Sequence, residues 1–500
     1  MKTMPKISTL HILRCAVAAM MAVAMHMQPA RAQQITLDDA IRIAQENSYD
    51  GTVARYSFMA SYWTYRSYRA DLLPTVNLQG ALMNFDHSLV DARNYDDGRL
   101  QYVDNNTLTN SLTLSLDQKI AATGGTVSLQ SYLYRLDQFT YNERTYNSQP
   151  LRVSYTQPLM AYNGMKWDKK TSPLEYDIAK RKYVTALEDI TVTVAGLFFK
   201  AVSAQSEYKQ AAATLADREA LYAIAQKRLE LGTTTKSEVL QLELSLLNAR
   251  VSVNTCRTAL ADAQYALFSY LRVTHYDTAT LVPPYAVPDL LLTFDDVLQK
   301  AIDHSPHSPQ LKLQMLEAER TLAQAKSGRG LQMTLSGEMG LSQTAPTIGG
   351  AYSRMRDNEI VGLTFSLPIF DWGVRRGRIK MAKAQLEVAK ASVEKTHQDY
   401  VQELRRAVNQ FNAQPSQCRD AQRAQAIAEE RYDITRRLFE AGSVSVTELN
   451  TAQHEMETAK MQYLAQLQTF WSDYYVLRKA TLYDWINHAD ITARFDQLVK

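Results

Sequence analysis

Few residues in this 500-residue sequence have the types and spacing that catalysis or metal binding requires. His454 and Glu455 begin the stretch HEMET, which resembles the start of the zinc-protease motif H-E-x-x-H. The second histidine of that motif, one helical turn further on, is absent. His304 and His307 lie beside prolines in a predicted loop, and two imidazoles without further ligands do not complete a metal site. With no glycine-rich phosphate loop in the sequence, we expect no enzyme, no metal and no cofactor.

Polar residues of matching type recur in two nearly identical stretches, RLELGTTTKSEVL and RLFEAGSVSVTEL. The matched residues, each pair 210 positions apart, are Gly232 and Gly442, Thr233 and Ser443, Thr235 and Ser445, and Glu238 and Glu448. Glycine suits the left-handed conformation that ends a helix, and Ser or Thr followed three residues later by Glu is typical of a capping box that starts one. Each stretch therefore predicts a tight helix reversal. Turn chemistry alone explains each stretch, but the repetition favours two tips that lie side by side.

Very long helices are predicted to lead into both reversals. The sequence from Gly164 to Leu231 predicts a helix of nearly 70 residues, about 100 Å long at 1.5 Å per residue. Val374 to Ala441 predicts a second helix of similar length, with a kink at Pro415. Helices of this length belong to coiled coils or helical barrels rather than to a globular core.

The return helices carry an apolar seam with alternating steps of four and three residues. In the first return helix the seam is Leu242, Leu246, Ala249, Val253, Cys256, Leu260, Ala263 and Leu267. Such a seam predicts packing against neighbouring helices. In the second return helix Gln466 and Asp473 interrupt the matching positions, so we expect a weaker seam there.

Alternation of apolar and polar residues predicts β-strands before each long helix. In VGLTFSL the apolar residues share one face, and LQMTLSGEM alternates in the same way. In the first half the alternating residues are Leu112, Thr113, Leu114, Ser115 and Leu116. Strands of about ten residues with one apolar face suit a membrane β-barrel with a wet lumen, and an ordinary sheet with one solvated face is the alternative. The stretch Ala121 to Leu136 predicts an extra strand or hairpin, whose place in a barrel or a loop stays open.

Repeated segments indicate that the chain is a duplication. ITLDDAIRIAQENS resembles LTFDDVLQKAIDHS, and QPLMAYNG resembles LPIFDWG. The proline-rich PPYAVP joins the halves. We therefore expect a first repeat at residues 33–287, with its tip at 232, a second repeat at 288–485, with its tip at 442, and a C-terminal tail at 486–500. Each repeat consists of a short helix, strands and a long helical hairpin.

The first 32 residues resemble a secretory signal peptide. Lys2 and Lys6 precede the short apolar run CAVAAMMAVAM, and ARA then offers a cleavage site after Ala32. A short membrane anchor is the alternative. The formal net charge of +3 gives no strong basic field, so no nucleic-acid partner is expected. We therefore expect an exported protein.

Together these motifs resemble the TolC family of outer-membrane efflux channels over nearly all of the mature chain. The resemblance rests on the two LDD/FDD openings, on PIFDWG at Pro368 to Gly373 and on both tips, and on the order and duplication of these motifs along the chain. It implies a mostly helical α+β fold, in which long antiparallel coiled-coil helices form a periplasmic α-barrel. About four strands from each chain would enter a shared trimeric transmembrane β-barrel in the outer membrane.

The same resemblance implies partners and roles for the tips. A periplasmic adaptor protein would dock on Gly232, Thr233, Thr235 and Glu238 and on Gly442, Ser443, Ser445 and Glu448, and an inner-membrane pump would supply the energy. Glu448 matches the first of two acidic positions at the closed aperture in the family. The second position is Thr451, which departs from the family pattern.

The expected function is therefore a passive export duct of a tripartite efflux or type I secretion system, a homotrimer in contact with outer-membrane lipid that opens like an iris. A periplasmic structural or adaptor-like coiled-coil protein without a membrane barrel is the alternative. Arg375, Arg376, Arg378 and Lys380, which open the second long helix, suit lipid head groups, and a solvated helix face is the alternative there.

Overall fold

The computed structural model describes residues 34–93, 98–274, 280–441 and 443–498. The predicted signal peptide and Gly442 lie outside the described residues. The helices are α1 (Leu37–Asn47), α2 (Tyr49–Ala70), α3 (Gly164–Glu230), α4 (Lys236–Leu271), α5 (Phe294–His304), α6 (His307–Ser327), α7 (Ile348–Ala351), α8 (Val374–Glu440), α9 (Val446–Thr481) and α10 (Phe495–Leu498). The strands are β1 (Gln34–Thr36), β2 (Thr75–Arg93), β3 (Leu100–Ile120), β4 (Gly125–Gln138), β5 (Glu143–Leu159), β6 (Thr280–Val282), β7 (Gln332–Ala345), β8 (Arg356–Ser366), β9 (Tyr483–Asp484) and β10 (Ala489–Asp490).

The two LDD/FDD openings start helices by the same hydrogen bonds. The Thr36 hydroxyl accepts from the Asp39 backbone N–H at 3.2 Å, and the Thr293 hydroxyl accepts from that of Asp296 at 3.3 Å. In return each hydroxyl donates to the carboxylate of the same aspartate. Each opening therefore satisfies a backbone donor that the first helical turn leaves without a partner.

Both long helices form as predicted, each with 67 residues. Pro173 and Pro415 lie within them, and helix α8 is continuous through Pro415. His304 and His307 are not in a loop: His304 ends α5 and His307 starts α6. The His307 ring stacks on Tyr400 with 3.9 Å between centroids, and burial, with the nearby His397, lowers the pKa of His307.

Both return helices bury most of their predicted seams, although not with the predicted relative strength, and Val253, Cys256 and Leu260 in the middle of the first seam are only half-buried. Helix α4 buries Val239, Leu242, Leu246, Ala249, Ala263, Leu267, Phe268 and Leu271. Helix α9 buries Leu449, Ala452, Gln453, Met456, Tyr463, Leu464, Leu467, Phe470, Tyr474, Tyr475, Leu477 and Thr481. The expectation of a weaker second seam is wrong, because aromatic residues fill it. At Asp473 the Gln410 amide donates to Oδ1 at 3.1 Å, while the buried Oδ2 accepts no hydrogen bond from the described residues.

One antiparallel sheet contains the six long strands in the order β2-β3-β4-β5-β7-β8. The resemblance implied about four strands, and the difference is an additional hairpin in the first half. Residues 125–138 form β4, which pairs with β3 on one side and with β5 on the other. The stretch Ala121 to Leu136 is therefore part of the sheet and not a separate loop. The strands, at 11 to 21 residues, are also longer than predicted.

The two faces of the sheet differ in polarity. Leu114 lies beside Leu78 and is 48% exposed, and the apolar residues Val361, Leu363 and Phe365 of β8 are also exposed. On the other face Arg152 of β5 donates through Nε to Gln130 of β4 at 3.1 Å and lies 3.4 Å from a Glu338 oxygen of β7. The inserted strand thus follows the alternation of its neighbours on both faces.

The chain divides into two compact units that each draw on both halves. Among the described residues, the first contains Gln34–Arg55, Val184–Ala301 and Glu403–Thr492, and the second contains Tyr56–Tyr183, Ile302–Gln402 and Ala493–Leu498. The sheet belongs to the second unit, and both helix reversals belong to the first. Among the described residues, no helix combines the length and apolarity that crossing a bilayer requires.

Candidate functional site

The first helix reversal ends α3 with a complete Schellman motif. The Thr233 N–H donates to the Arg228 carbonyl at 2.9 Å, and the Gly232 N–H donates to the Leu229 carbonyl at 3.0 Å. Gly232 has a φ of +71°, as this motif requires. At the second reversal the Ser443 N–H donates to the Leu438 carbonyl at 2.9 Å, which is the equivalent bond 210 positions later.

Capping boxes start both return helices. The Thr235 hydroxyl accepts from the Glu238 N–H at 3.2 Å, and the Glu238 carboxylate accepts from the Thr235 N–H at 3.3 Å. Ser445 and Glu448 make the same pair of bonds at 3.2 and 3.0 Å. Hydrogen bonds from the Thr234 hydroxyl and the Thr235 N–H lower the pKa of Glu238. One carboxylate oxygen of each glutamate is therefore occupied by its own helix start.

A single apolar cluster packs the two hairpin ends together. Its buried members come from α3, α4, α8 and α9 and are Leu221, Ala225, Val239, Leu242, Tyr432, Phe439, Leu449, Ala452 and Met456. The Arg228 guanidinium also donates to the Glu440 carbonyl at 3.2 Å. The two tips, defined as residues 228–238 and 438–448, therefore lie side by side, as the repetition in the sequence favoured.

Polar contacts link the two hairpins behind the tips. The Tyr432 hydroxyl of α8 donates to Asp217 of α3 at 3.1 Å, and Arg436 lies 3.3 Å from the same carboxylate. Burial, together with Asp217, raises the pKa of Tyr432 to about 12, so this hydroxyl remains a donor at every physiological pH. The Tyr432–Asp217 hydrogen bond therefore joins α8 of the second hairpin to α3 of the first.

A second link is more deeply buried. Arg218 of α3, 7% exposed, donates to the Gln453 side chain of α9 at 2.6 Å. The Gln453 amide donates in turn to Thr214 at 2.8 Å and to Glu457 at 3.0 Å. Burial lowers the pKa of Arg218. A buried guanidinium depends on these partners, because leaving it without them would cost several kcal/mol.

An open cleft of about 430 Å³ lies between the two tips. Leu221, Ala225, Leu242 and Phe439 contribute apolar surface to it. Its polar lining residues are Arg228, Thr233, Thr234, Glu238 and Ser445. A cleft with apolar surface, one cation and one carboxylate can bind an apolar side chain and orient polar groups beside it.

The structure brings Thr233, Glu238 and Ser445 together at this cleft. Gly232, Thr235 and Glu448 shape the tips through backbone conformation and capping, Ser443 is exposed, and Gly442 lies outside the described residues. Thr451 donates to the Thr447 carbonyl at 3.0 Å and is exposed. Their roles in docking and at the aperture stay predictions.

Sequence reasoning missed Arg228, Asp217, Arg218, Tyr432 and Gln453. One signal was available: Tyr222 and Tyr432 also stand 210 positions apart, inside the same repeat as the tips. The partners Asp217, Arg218 and Gln453 have no such signal, because they meet across hairpins that are distant in sequence.

An amphipathic antiparallel sheet combined with paired hairpins of very long helices defines a class of protein, the outer-membrane channels with a periplasmic helical part. The family model for "Outer membrane efflux protein" matches residues 40–271 and 297–480. The chain belongs to this family, whose members are channels in the outer membrane rather than enzymes.

Relatives and solved structures agree with this family. Over 304 residues the chain is 23% identical to the outer membrane protein TolC of Escherichia coli (strain K12), covering 56% of this chain and 60% of that relative. The match therefore spans less than two thirds of TolC. The fold is similar to that of a membrane protein from Pseudomonas aeruginosa, with a TM-score of 0.64, 16% identity and 92% of each chain covered. It is also similar to the CmeC outer membrane channel of Campylobacter jejuni, with a TM-score of 0.63, 15% identity, and 92% of this chain and 88% of that chain covered.

Proposed function

We propose that this protein is the passive export duct of a tripartite efflux or type I secretion system. Three copies share one β-barrel in the outer membrane and one helical tunnel in the periplasm. A periplasmic adaptor docks on the tips, and an inner-membrane pump supplies the energy. The observation that carries the proposal is the cleft between two tips that one apolar cluster holds side by side.

The edges of the sheet support assembly from several copies. Strands β2 and β8 are the outermost strands, so among the residues that the structure describes each has one side without a neighbouring strand. In a bilayer, unpaired backbone groups cost several kcal/mol each, which makes an open sheet untenable there. Pairing of β8 with β2 of the next copy removes both unpaired edges. The number of copies, three, is taken from the trimers of the family.

A second apolar stripe on α4 supports the same assembly. Leu240, Leu244, Leu247 and Val251 step by four, three and four residues, and all are exposed in the single chain. This stripe is distinct from the buried seam of the same helix. A sustained exposed seam needs a partner helix, which the neighbouring copy provides in the proposed trimer.

Opening is a change of packing between the two hairpins of each copy. The Tyr432–Asp217 and Arg218–Gln453 links hold α3 against α8 and α9 in the described arrangement. Iris-like opening has to break or exchange such links, because packed interfaces switch between discrete states. Glu448 stays the candidate residue at the aperture.

Two measurements test the duct. Purified full-length protein is inserted into a planar bilayer, where we expect discrete conductance steps that increase when the hairpin links are removed. Cell fractionation should place the protein with the outer membrane. A soluble periplasmic protein without conductance would instead match the alternative, a coiled-coil protein without a barrel.

Docking is tested by photo-crosslinking in cells. A photoreactive residue at Thr233 or at Ser445, both in the tip cleft, should capture a periplasmic adaptor, identified by mass spectrometry. The same residue at Arg257, an exposed position on α4 away from the tips, is the control and should not capture it. Crosslinks from the cleft only to other copies of this chain would contradict docking.

A further inference from the structure

Cations are concentrated at one end of the sheet, where the strands meet the helices. Strands β2 and β7 start at this end of the sheet, and β5 and β8 finish at it, as the pairings Leu159–Met333 and Gln332–Ser366 show for β5, β7 and β8. The cations of the adjoining helix ends are Arg66, Arg69, Lys166, Lys169, Lys170, Lys326, Arg329, Arg375, Arg376, Arg378 and Lys380. The same segments hold the acidic residues Asp71, Asp168 and Asp371.

We call these eleven cations and three acidic residues the basic belt, and its positive charge is not shared by the rest of the chain. Eleven cations minus three acids give it a net charge of +8, whereas the whole chain has a formal net charge of +3. The remainder of the chain is therefore acidic on balance. Both repeats contribute, since Lys166, Lys169 and Lys170 open α3 just as four cations open α8. All but the half-buried Arg375 are exposed.

An open cleft in the belt combines these cations with aromatic rings. The cleft, about 510 Å³, is lined by Arg329 from the end of α6 and by Arg375 and Arg376 from the start of α8. Phe370 and Trp372 also line it, with 4.6 Å between their ring centroids, and they are 72% and 89% exposed. Asp371 lines the cleft as well. Its carboxylate accepts backbone N–H bonds from Gly373 and Arg375, which caps the start of α8, and it lies 3.8 Å from the Arg375 guanidinium.

The cleft continues the apolar face of the sheet. Exposed apolar residues alternate along β8 and past its end to Leu367 and Ile369, and the cleft begins there. A surface that passes from aliphatic residues to exposed Trp and Phe and then to arginines matches a bilayer, which passes from acyl chains to interface to phosphate. Arginine is also the side chain best suited to phosphate oxygens.

We propose that this cleft binds the head group of an anionic phospholipid from the periplasmic leaflet of the outer membrane. Arg329, Arg375 and Arg376 hold the phosphodiester, and Phe370 and Trp372 contact the glycerol and upper acyl chain. The proposal rests on the proposed function, which places this end of the sheet at the periplasmic face of the membrane.

Native mass spectrometry of the delipidated full-length protein tests the proposal. Phosphatidylglycerol should bind more tightly than zwitterionic phosphatidylcholine, and more weakly as ionic strength rises. In Arg329→Gln/Arg376→Gln, phosphatidylglycerol should bind about 25-fold more weakly, at about fivefold for each arginine near a membrane surface, with phosphatidylcholine binding unchanged. The control Arg257→Gln/Arg423→Gln removes the same charge from exposed positions in the first unit and should bind phosphatidylglycerol normally.

Several outcomes would overturn the assignment. They are equal binding of both phospholipids, unchanged binding in the Arg329/Arg376 variant, equal loss in the control, and competition by lipid A, whose phosphates belong to the other leaflet. Displacement by millimolar inorganic phosphate would indicate a general anion site instead. Planar-bilayer conductance of the same proteins is recorded separately, so that a failed duct and a failed lipid site are told apart.

Discussion

At the scale of single residues, Gly232 shows how backbone conformation alone shapes a tip. A Cβ built on Gly232 meets nothing within 4 Å, so Gly232→Ala would add only the strain of a positive φ, about 1 kcal/mol. We expect a lower melting temperature and weaker adaptor crosslinking at Thr233. Gly196→Ala is the control, because Gly196 has equal space but lies inside α3, and there alanine should stabilise the helix. Equal effects of both variants would show that conformation at the tip does not matter.

Tyr432 gives a prediction for pH dependence. Its pKa is raised to about 12 in the folded protein from an ordinary value of 10, so its contribution is complete below pH 10 and is lost as pH rises toward 12. Tyr432→Phe should therefore show a smaller loss of stability between pH 10 and 12 than the unmodified protein, measured by thermal melting in buffers of increasing pH. It should also leave Asp217 without its hydroxyl donor and increase the open fraction in planar bilayers. Identical pH profiles would contradict the buried position of this hydroxyl.

At the scale of elements, neighbouring residues of β3 report which face of the sheet contacts lipid. Leu114 belongs to the apolar face and Thr113 to the polar face. Leu114→Arg should cost about 2–4 kcal/mol near the middle of a bilayer and reduce the amount of assembled protein in the outer membrane. Thr113→Arg adds the same side chain toward the lumen and should assemble normally, as quantified in membrane fractions. Normal assembly of Leu114→Arg together with reduced assembly of Thr113→Arg would mean that the two faces are assigned incorrectly.

Helix α4 offers a second matched pair. Leu242 is 2% exposed within the cluster that joins the tips, so Leu242→Ala should lower the free energy of unfolding by about 2–5 kcal/mol. Leu244, two residues later, is exposed in the single chain. Leu244→Ala should leave each chain folded but weaken the trimer, which analytical ultracentrifugation in detergent can follow. A Leu244→Ala trimer as tight as the unmodified one would argue against the stripe as an interface between copies.

At the scale of the whole molecule, the sequence predicted elements that depend on local signals and missed those that depend on distant partners. The ends of α3 and α8 fall within one residue of the prediction, because Gly232, the capping boxes and an uninterrupted helical pattern are all local. The tips meet as the repetition favoured. The place of β4 stayed open, because it is set by hydrogen bonds to β3 and β5. The Arg218–Gln453 contact joins residues 235 positions apart, and no local pattern indicates it.

The additional hairpin of the first half has a consequence for what limits passage. In the proposed trimer, a sheet with one hairpin from each repeat would give twelve strands, whereas the six strands observed in one chain would give eighteen. Barrel diameter grows roughly in proportion to strand number, so the cross-section of the proposed barrel would be roughly doubled. The insertion adds strands but no helix to the repeat, and the calibre of the periplasmic passage gains nothing from it. In the proposed duct, cargo of increasing size should therefore be stopped in the helical passage rather than in the barrel.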